Sequence, residues 1–250
     1  MTKRLRLDKL LSDTGRWTRK EAGVLIRQGT VLIDGVSLRK PEEKLDPEAV
    51  SITVNGVPLI WSAHSYLMLN KPAGYLTATE DRSAPTVMDL IPDELRKPGL
   101  APVGRLDKDT TGLLLITDDG ALAHHLLSPK RHVDKIYLAW VDGTGTEEDC
   151  AAFARGIVLG DGTRCLPAGL ELLERGLCRV TVREGKFHQV KRMLASRNLP
   201  VTALKRVKMG PLALDETLSE GVVRMLTATE IDQLRQAVVI NGQHSSKCTK

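Results

Sequence analysis

Residues 104–120 read GRLDKDTTGLLLITDDG and place four charged side chains directly before a run of apolar residues. The four are Arg105, Asp107, Lys108 and Asp109. Such a stretch is either a surface turn or a loop held between core strands, where a carboxylate is well placed for chemistry. The sequence shows no second acid at hydrolytic spacing, no nucleophile elbow and no phosphate-binding glycine loop. Any catalysis here would therefore depend on one carboxylate with basic helpers.

The positive charge of the chain is concentrated in two blocks. The first basic block, residues 1–40, holds ten Lys/Arg and four Asp/Glu, a net charge of +6. The second basic block, residues 179–210, holds nine Lys/Arg and one acid, a net charge of +8. Since the whole chain carries +5, the remainder carries −9. Two basic blocks on an otherwise acidic chain indicate a polyanion such as nucleic acid, and solvated helix faces without function are the alternative.

The first fifty residues predict a compact module of two helices and a small sheet. The leucines of LRLDKLLSDTG at 5–15 recur on one helical face, and T-R-K-E at 18–21 is a capping box for a second helix that ends at Gly29. Cations at a helix start oppose the helix dipole, so binding of phosphates explains them better than solubility alone. The predicted phosphate-binding cations of this module are Arg4, Arg6, Lys9, Arg16, Arg19, Lys20 and Arg27.

The chain after this module reads as strand-rich with several helices. Residues 55–64, NGVPLIWSAH, contain Asn-Gly and a proline and break the periodicity, which predicts a linker. Buried strands are predicted for YLMLN at 66–70, GLLLIT at 112–117 and KIYLAWV at 135–141. The segment HQVKRMLASR predicts a helix over 187–197. Strands followed and interrupted by helices in this way indicate an α+β fold.

Cysteine usage and hydropathy limit the class of protein. The four cysteines include no C-x-x-C pair and no histidine at zinc-like spacing, so we expect reduced thiols and no metal site. No stretch approaches the roughly 18 apolar residues of a membrane span, and the N-terminus lacks the apolar core of a secretory signal. We expect a cytoplasmic protein without membrane attachment, and a monomer, because no apolar stripe calls for a partner.

Four segments together carry a resemblance to a known family. The stretch at 104–120 closely resembles the central motif of the pseudouridine synthases, and LNKPAGY (69–75), KIYLAWV and EGKFHQVKRML (184–194) resemble its other motifs in the same order. Residues 5–50 resemble the alpha-L RNA-binding motif, so the chain is similar to the branch that modifies ribosomal RNA, and most to the small-subunit (16S) rRNA enzymes. The resemblance implies a small N-terminal αα-β RNA-binding module and a larger catalytic domain with a mixed, mainly antiparallel sheet. The predicted boundaries are 1–54 for the RNA-binding domain, 55–64 for the linker, 65–238 for the catalytic domain and 239–250 for a disordered tail.

The resemblance also implies a reaction and its residues. Pseudouridine formation breaks the bond between uracil N1 and ribose C1′, turns the base and rejoins it through C5. Because the product is an isomer, no cofactor is implied. Asp107 is implied as the catalytic carboxylate, acting either as a nucleophile or as the base that takes a proton from C2′. Lys191 is implied as the cation that keeps it ionised, Tyr137 as the residue that stacks on uracil, and Arg105 as an RNA contact that fills the space of the displaced base.

Each of these residues also has an ordinary interpretation. Lys191 could be one more basic helix residue, Tyr137 a half-buried strand aromatic, and Arg105 a surface ion partner of Asp109. We interpret His188 as structural, because this chemistry needs no histidine base. Aromatic residues make up 3% of the chain, so broad stacking platforms are not expected.

The expected partner is ribosomal RNA or an assembling small ribosomal subunit. In the second basic block, Lys186, Arg192 and Arg206 are the predicted RNA contacts. Two alternatives stay open from the sequence. The same reaction could act on 23S rRNA or tRNA, or the chain could be a non-catalytic RNA-binding assembly protein that keeps the catalytic fold only as a scaffold.

Overall fold

A computed structural model describes residues 4–47, 49–59, 61, 63–128 and 131–244, with the backbone alone for 238–244. The chain divides into two compact units. The first unit contains the described residues up to Ser65 together with Ile91–Leu100, and the second contains Tyr66–Leu90 and the described residues from Ala101 onward. Within the described part, no helix is long and apolar enough to cross a membrane.

The first unit is the predicted module of two helices and small sheets. Its elements are β1 (Leu5–Arg6), α1 (Leu7–Ser12), α2 (Arg19–Gln28), β2 (Val31–Ile33), β3 (Val36–Ser37), β4 (Lys44–Leu45), β5 (Ile52–Val54) and β6 (Val57–Pro58). The order β3-β2-β5-β6 forms one antiparallel sheet, and β1 pairs with β4. The capping box between Thr18 and Glu21 is present, and Gly29 ends α2 in the left-handed conformation. Both sequence predictions about α2 are confirmed.

The leucine face predicted for residues 5–15 forms part of the core of this unit. Leu7, Leu10 and Leu11 are fully buried and cluster with Ile26 of α2 and the inward side chains of β2 and β5. Leucine side chains spaced three and four residues apart lie on one side of a helix, which is why the sequence pattern predicted this contact surface.

The linker predicted at 55–64 is corrected by the structure. Asn55 and Gly56 both have positive φ and form the hairpin turn that joins β5 to β6. Leu59 is buried in the core of this unit, and Trp61 packs against it. The Asn-Gly pair therefore marks a tight turn inside the module. Residues 60 and 62 lie outside the described part of the chain.

Ile91–Leu100 belongs to the first unit, although the sequence prediction placed it in the catalytic domain. This segment contains a short 3₁₀ helix, Asp93–Leu95. The segment packs so close to Gly15, which follows α1, that a Cβ at this position would lie 2.3 Å from the carbonyl oxygen of Arg96. Only glycine therefore fits there. Its φ of +77° also favours glycine over any residue with a side chain.

The second unit is built on one long sheet with helices against it. Its elements are β7 (Tyr66–Lys71), a 3₁₀ helix (Val87–Leu90), β8 (Ala101–Pro102), β9 (Thr111–Thr117), α3 (Gly120–Leu127), β10 (Lys135–Val141), α4 (Glu147–Arg155), β11 (Gly169–Glu174), β12 (Leu177–Val182), α5 (Gln189–Ala195), β13 (Val201–Met209), β14 (Leu212–Ala213), β15 (Val223–Met225) and α6 (Ala228–His244). The order is β11-β12-β10-β13-β9-β7-β15, with β8 beside β9 and β14 beside β13. Every pairing is antiparallel except that of β13 with β9. The predicted α+β fold with a mixed, mainly antiparallel sheet is confirmed.

The centre of this sheet is buried on both faces, which explains the apolar runs in its strands. All six residues of β7 are buried, as are the six from Gly112 to Thr117 in β9. The parallel strand β13 comes so close to β9 that a Cβ on Gly112 would lie 2.2 Å from the carbonyl oxygen of Arg206. Glycine at the second position of β9 is therefore a condition for this parallel pairing.

The C-terminal helix extends beyond its predicted end. The disordered tail was predicted from residue 239, whereas α6 continues to His244. Residues 245–250 lie outside the described part, and with them Cys248. The other three cysteines are free thiols, and burial raises the pKa of Cys165 and Cys178.

Candidate active site

A buried lysine holds the charged loop that connects β8 to β9. Lys71, the last residue of β7, is fully buried, and its Nζ donates to the carbonyl oxygens of Pro72 (3.0 Å), Lys108 (3.2 Å) and Thr110 (2.9 Å). Two of these three acceptors lie in the loop. An ammonium group has three donors, so all three are used to fix the backbone on either side of Asp109.

A threonine from the same region fixes the other end of the loop. Thr77 is buried, and its hydroxyl donates to the carbonyl oxygen of Leu106 at 2.8 Å and accepts from the amide of Leu106 at 3.2 Å. The amide of Gly74 also donates to the carbonyl oxygen of Lys108 at 2.8 Å. Asp107 therefore lies between two backbone positions that are each held by the segment following β7.

Asp107 faces two cationic or potentially cationic side chains from the segment around α5. Its Oδ2 lies 3.4 Å from Nζ of Lys191, and its Oδ1 lies 3.5 Å from Nε2 of His188. The Asp107 side chain is 28% exposed, so it is shielded on most sides and still reachable from solvent. A carboxylate in this setting can attack or accept a proton from a molecule that enters the cleft.

The shortest contact of Lys191 goes to a different aspartate from the one predicted. Its Nζ donates to Oδ1 of Asp109 at 2.5 Å, and this hydrogen bond holds the pKa of Asp109 below its usual range. Lys191 is thus shared between Asp107 and Asp109, with the closer contact to the more exposed Asp109. In the part of the chain that the structure describes, Arg105 does not pair with Asp109, so that ordinary interpretation of Arg105 is wrong.

The pKa of Lys71 depends on its burial and on the charges around Asp107. Burial lowers the pKa of Lys71 to about 8, while the charges of Asp109 and Asp107 raise it and that of Lys191 lowers it. Burial removes water from the ammonium group, which penalises its charged form. The lysine that fixes the loop is therefore close to losing its proton under mildly alkaline conditions.

A small open cleft, with a volume of about 70 Å³, lies beside Asp107. Tyr137 of β10 is buried and lines the cleft, together with Leu204 of β13 and Thr110. Arg105 is exposed and lines it as well. The structure thus brings Asp107, Tyr137 and Arg105 to one cleft, and Lys191 reaches Asp107 beside it.

The segment 184–189 forms another wall of the cleft and is fixed by a buried acid. Glu184 accepts hydrogen bonds from the amide of Leu166 (2.8 Å) and from Nε2 of Gln189 (2.8 Å). The side chain of Gln189 in turn accepts from the amide of Lys186 at 3.0 Å. These bonds close the segment into a compact loop that carries His188 toward Asp107.

The predicted RNA contacts of the second basic block are all engaged with groups of the protein. Arg206 is 2% exposed, and its Nε donates to the carbonyl oxygen of Leu113 at 2.8 Å. The prediction that Arg206 binds RNA is therefore wrong, because a side chain inside the sheet cannot reach a phosphate. Arg192 pairs with Asp161 at 2.6 Å, and Lys186 pairs with Glu184 at 3.1 Å and donates to the carbonyl oxygen of Arg164.

The predicted cations of the first unit lie mostly at the surface. Asp8 accepts from both Arg6 and Arg19, and Lys9 pairs with Asp13. Arg4 donates to the carbonyl oxygen of Lys44. The remaining three are exposed and form no ion pair among the described residues: Arg16, Lys20 and Arg27.

Comparison with known proteins agrees with both units. The profile for RNA pseudouridylate synthase matches residues 65–196, and the profile for the S4 domain matches residues 5–51. The chain belongs to the RNA pseudouridylate synthase family. Such an enzyme is an isomerase that converts uridine in RNA to pseudouridine. The resemblance of the four sequence motifs to this family is thereby confirmed.

Several relatives are similar to this pseudouridine synthase over nearly its whole length. The uncharacterised RNA pseudouridine synthase YtzG of Bacillus subtilis (strain 168) is 41% identical, covering 93% of this chain and 99% of its own. Ribosomal small subunit pseudouridine synthase A of Escherichia coli (strain K12) is 39% identical, covering 91% and 98%. A crystal structure of a pseudouridylate synthase matches with a TM-score of 0.64 and 39% identity, covering 92% of this chain and 99% of that one.

Sequence reasoning missed four residues that build the site of this pseudouridine synthase. They are Lys71, Thr77, Glu184 and Gln189. They form hydrogen bonds to the backbone and to one another, and none of these bonds goes to the carboxyl group of Asp107. Three of them lie inside the motifs LNKPAGY and EGKFHQVKRML, which carry the resemblance to the family. A polar residue inside an apolar strand, as Lys71 is in YLMLNK, was the available signal, because such a residue needs buried partners.

Proposed function

We propose that this pseudouridine synthase isomerises a specific uridine in the RNA of the small ribosomal subunit (16S rRNA), with Asp107 as its catalytic carboxylate. The support for the substrate is the similarity to enzymes named for the small ribosomal subunit, which are 39–40% identical over 91–92% of this chain. Coverage includes the S4 domain as well as the catalytic region, so the likeness extends to the part that would recognise RNA.

The observation that carries the role of Asp107 is its position between two anchors in an open cleft. Lys71 and Thr77 fix the backbone on both sides of Asp107 from buried positions. A carboxylate held this firmly does not need to reorganise when charge develops in the transition state. The chemistry needs one aimed carboxylate, which attacks a carbon of the nucleotide or takes the proton from C2′.

Three neighbouring residues receive distinct roles in this proposal. Tyr137 stacks against the uracil ring, since it is buried and lines the cleft. Lys191 places its positive charge 3.4 Å from the Asp107 carboxylate and is itself held by Asp109. Arg105, exposed beside the cleft, contacts the RNA and occupies the space that the displaced uridine leaves.

RNA binding by the first unit provides the affinity that extrusion of the uridine requires. Taking a nucleotide out of its stack costs about a few kcal/mol, which phosphate contacts elsewhere can offset. We assign this role chiefly to the three exposed cations Arg16, Lys20 and Arg27, with the four that are engaged with protein groups as weaker contributors.

Pseudouridine mapping on purified transcripts tests the proposal. The protein would be incubated with 16S rRNA, 23S rRNA and tRNA transcripts in the presence of a chelator and without any cofactor. We expect one modified uridine in 16S rRNA, and no modification by an Asp107→Asn variant under the same conditions. Modification confined to 23S rRNA or tRNA would contradict the substrate and leave the role of Asp107 intact.

Inactivity on naked RNA would call for a second substrate, a partly assembled small subunit. Failure on both substrates would contradict the catalytic proposal and favour a binding protein that retains the fold. We also propose that the enzyme acts as a monomer in the cytoplasm, because its substrate is one RNA segment and one set of site residues suffices. A sedimentation experiment at assay concentrations, which should give a mass near 27.4 kDa, tests the oligomeric state.

A further inference from the structure

The two phenylalanines of the chain lie in opposite environments. Phe153 is fully buried in α4, whereas Phe187 is 76% exposed and is the most exposed large hydrophobic side chain in the described part of the chain. An exposed hydrophobic residue alone needs no explanation. Phe187, however, lies between Lys186 and His188, which both line the cleft beside Asp107.

The ring of Phe187 is held in a defined orientation by its neighbour. It stacks on the imidazole of His188 with the ring centroids 3.9 Å apart and the planes 16° from parallel. His188 adopts a left-handed backbone conformation, with a φ of +48°, immediately before α5. This conformation is unusual for a residue with a side chain and persists only where its surroundings impose it. One face of the phenylalanine is thereby covered, and the other is left open to solvent.

The stacked pair connects directly to the proposed reaction centre. Nε2 of His188 lies 3.5 Å from Oδ1 of Asp107, so the imidazole contacts both the carboxylate and the phenylalanine ring. The segment that carries both rings is fixed by the hydrogen bonds of Glu184 and Gln189. A rigid aromatic face beside this cleft is positioned to contact a nucleotide next to one that enters it.

We propose that Phe187, backed by His188, stacks on the nucleobase directly adjacent to the target uridine. The proposal rests on the proposed function, because it presumes that the uridine enters the cleft beside Asp107. Stacking on an aromatic side chain accepts any base, since every base has a π-face. Phe187 is therefore a residue that positions the RNA strand, and it takes no part in the bond changes.

Variants of Phe187 separate stacking from simple hydrophobicity. We expect Phe187→Ala to raise KM about tenfold on the shortest RNA hairpin that the wild-type enzyme modifies, with kcat at saturating RNA reduced less than threefold. Phe187→Trp and Phe187→Tyr should restore KM, whereas Phe187→Leu should not, because only an aromatic ring can stack. Val158→Ala is the control, since Val158 is another exposed hydrophobic side chain and should leave KM unchanged. The thermal unfolding midpoint should stay constant throughout.

An abasic nucleotide identifies the stacked base. Hairpins would carry an abasic site either immediately before or immediately after the target uridine. For the wild-type enzyme, one of the two substitutions should raise KM about tenfold. For Phe187→Ala the same substitution should have no further effect, because the ring that would lose its partner is already absent. Independent effects of the two changes would overturn the proposal.

A binding measurement keeps this inference separate from the proposed function. Phe187→Trp should show tryptophan quenching on addition of the RNA beyond the quenching of the wild-type protein, also when combined with Asp107→Asn. Turnover by the wild-type enzyme with an unchanged KM for Phe187→Ala would contradict the stacking alone. Absence of turnover by the wild-type enzyme would contradict the proposed function, and the extra quenching would then still decide whether Phe187 contacts a base.

Discussion

The two basic blocks of this pseudouridine synthase have similar net charges and opposite structural roles. In the described part of the first block, Arg16, Lys20 and Arg27 point into solvent without an ion partner. In the second block, most cations are engaged with groups of the protein, some of them in ion pairs at the surface. Arg179, Arg183, Arg192 and Arg197 each pair with a carboxylate, Lys191 is shared by two aspartates, and Arg206 is buried in the sheet.

The difference teaches that a count of charges does not say what the charges do. The second block contains one acid in its own sequence, yet its cations find carboxylates from elsewhere in the chain, such as Asp161 for Arg192 and Asp149 for Arg197. Most of its cations therefore already have a carboxylate partner, while Arg16, Lys20 and Arg27 of the first block have none among the described residues and are available for a polyanion. We infer that chemistry depends on the second block and RNA affinity mainly on the first.

The largest expected effect isolates the chemistry that the second block supports. Asp107→Asn should reduce pseudouridine formation by about 10³-fold or more, because an amide can neither attack carbon nor accept a proton. RNA affinity should change less than about twofold, since no phosphate contact is removed. Single-turnover assays and filter binding on the same hairpin measure the two quantities. The matched variant Asp109→Asn removes the same charge two residues away and should cost less than about tenfold in rate.

A variant of the first block should show the reverse pattern. Arg16→Gln combined with Lys20→Gln should weaken RNA binding by about tenfold while kcat at saturating RNA is kept. The dependence of log K on log salt should become less steep by about 1.4 to 1.8, because each lost phosphate contact removes about 0.7 to 0.9 from the slope.

A double variant in the second block is the control for the double variant of the first block. Arg179→Gln combined with Arg183→Gln removes the same amount of charge from cations that already pair with Glu171 and Asp134. We expect less than about threefold loss of affinity and little change in the salt slope. Equal effects of the two double variants would show that both blocks bind RNA alike, against the distinction drawn between them.

A smaller effect concerns the pH range in which the loop stays fixed. The pKa of Lys71 is lowered to about 8 by burial, so in the folded protein this lysine loses its proton as pH rises through that value. A neutral amine has two donors for three carbonyl oxygens, and at least one bond to the loop is lost. We expect kcat to fall several-fold above pH 8. In the profile of kcat against pH, Asp109→Asn should move this fall to lower pH, because Asp109 raises the pKa of Lys71.

The control for this profile is Asp142→Asn, an exposed carboxylate that is not among the charges acting on Lys71. It should leave the alkaline fall in place. A shift to higher pH in Asp109→Asn would contradict the assignment of the fall to Lys71, since loss of a nearby negative charge can only make a cation less favourable. Lys71 also affects the free energy of unfolding, because its pKa is about 8 in the folded protein and 10.5 in the unfolded chain. Between these two pH values the unfolded chain keeps a proton that the folded protein has lost. The contribution of Lys71 therefore makes the free energy of unfolding rise with pH in this range.

Local sequence signals predicted most elements and the position of the charged loop. The capping boxes at Thr18 and Thr227 placed the starts of two helices, because their hydrogen bonds involve residues only three apart. The same locality explains the main error in the domain boundaries. The Asn-Gly pair at 55–56 interrupts the periodic pattern, and both a linker and a hairpin turn would do so. Only the pairing of β6 with β5 shows that this pair forms a hairpin turn.

What the sequence could not predict depends on contacts between distant residues. Lys20 and Arg206 are both cations in basic segments, and nothing in their neighbours shows that one is exposed and the other buried. Likewise, the helix was predicted to begin at residue 187, whereas it begins at Gln189. His188 before it has a left-handed backbone conformation, and its side chain contacts Asp107. Residues that build the site through backbone contacts, such as Lys71 and Thr77, become recognisable only once the loop they hold is known.

The smallest expected effect on RNA is the one that tests the buried cation directly. Arg206→Met should change RNA affinity less than about twofold, because the guanidinium of Arg206 lies inside the sheet and its Nη2 has no hydrogen-bond partner in the described part of the chain. Methionine keeps most of the volume and loses only the bond to Leu113, so the stability should be largely retained. Arg206→Ala leaves a cavity and should lower the free energy of unfolding by about 3 kcal/mol.

The informative comparison pairs Arg206→Met with Lys20→Met. Chemical denaturation and filter binding would be measured on both variants. Lys20→Met should weaken RNA binding and leave stability unchanged, since its side chain is exposed in α2. If Arg206→Met instead weakened RNA binding as much as Lys20→Met while remaining fully folded, the buried arginine would have to reach RNA in the complex. The second block would then have to open on binding, and its cations could not be treated as fixed parts of the cleft.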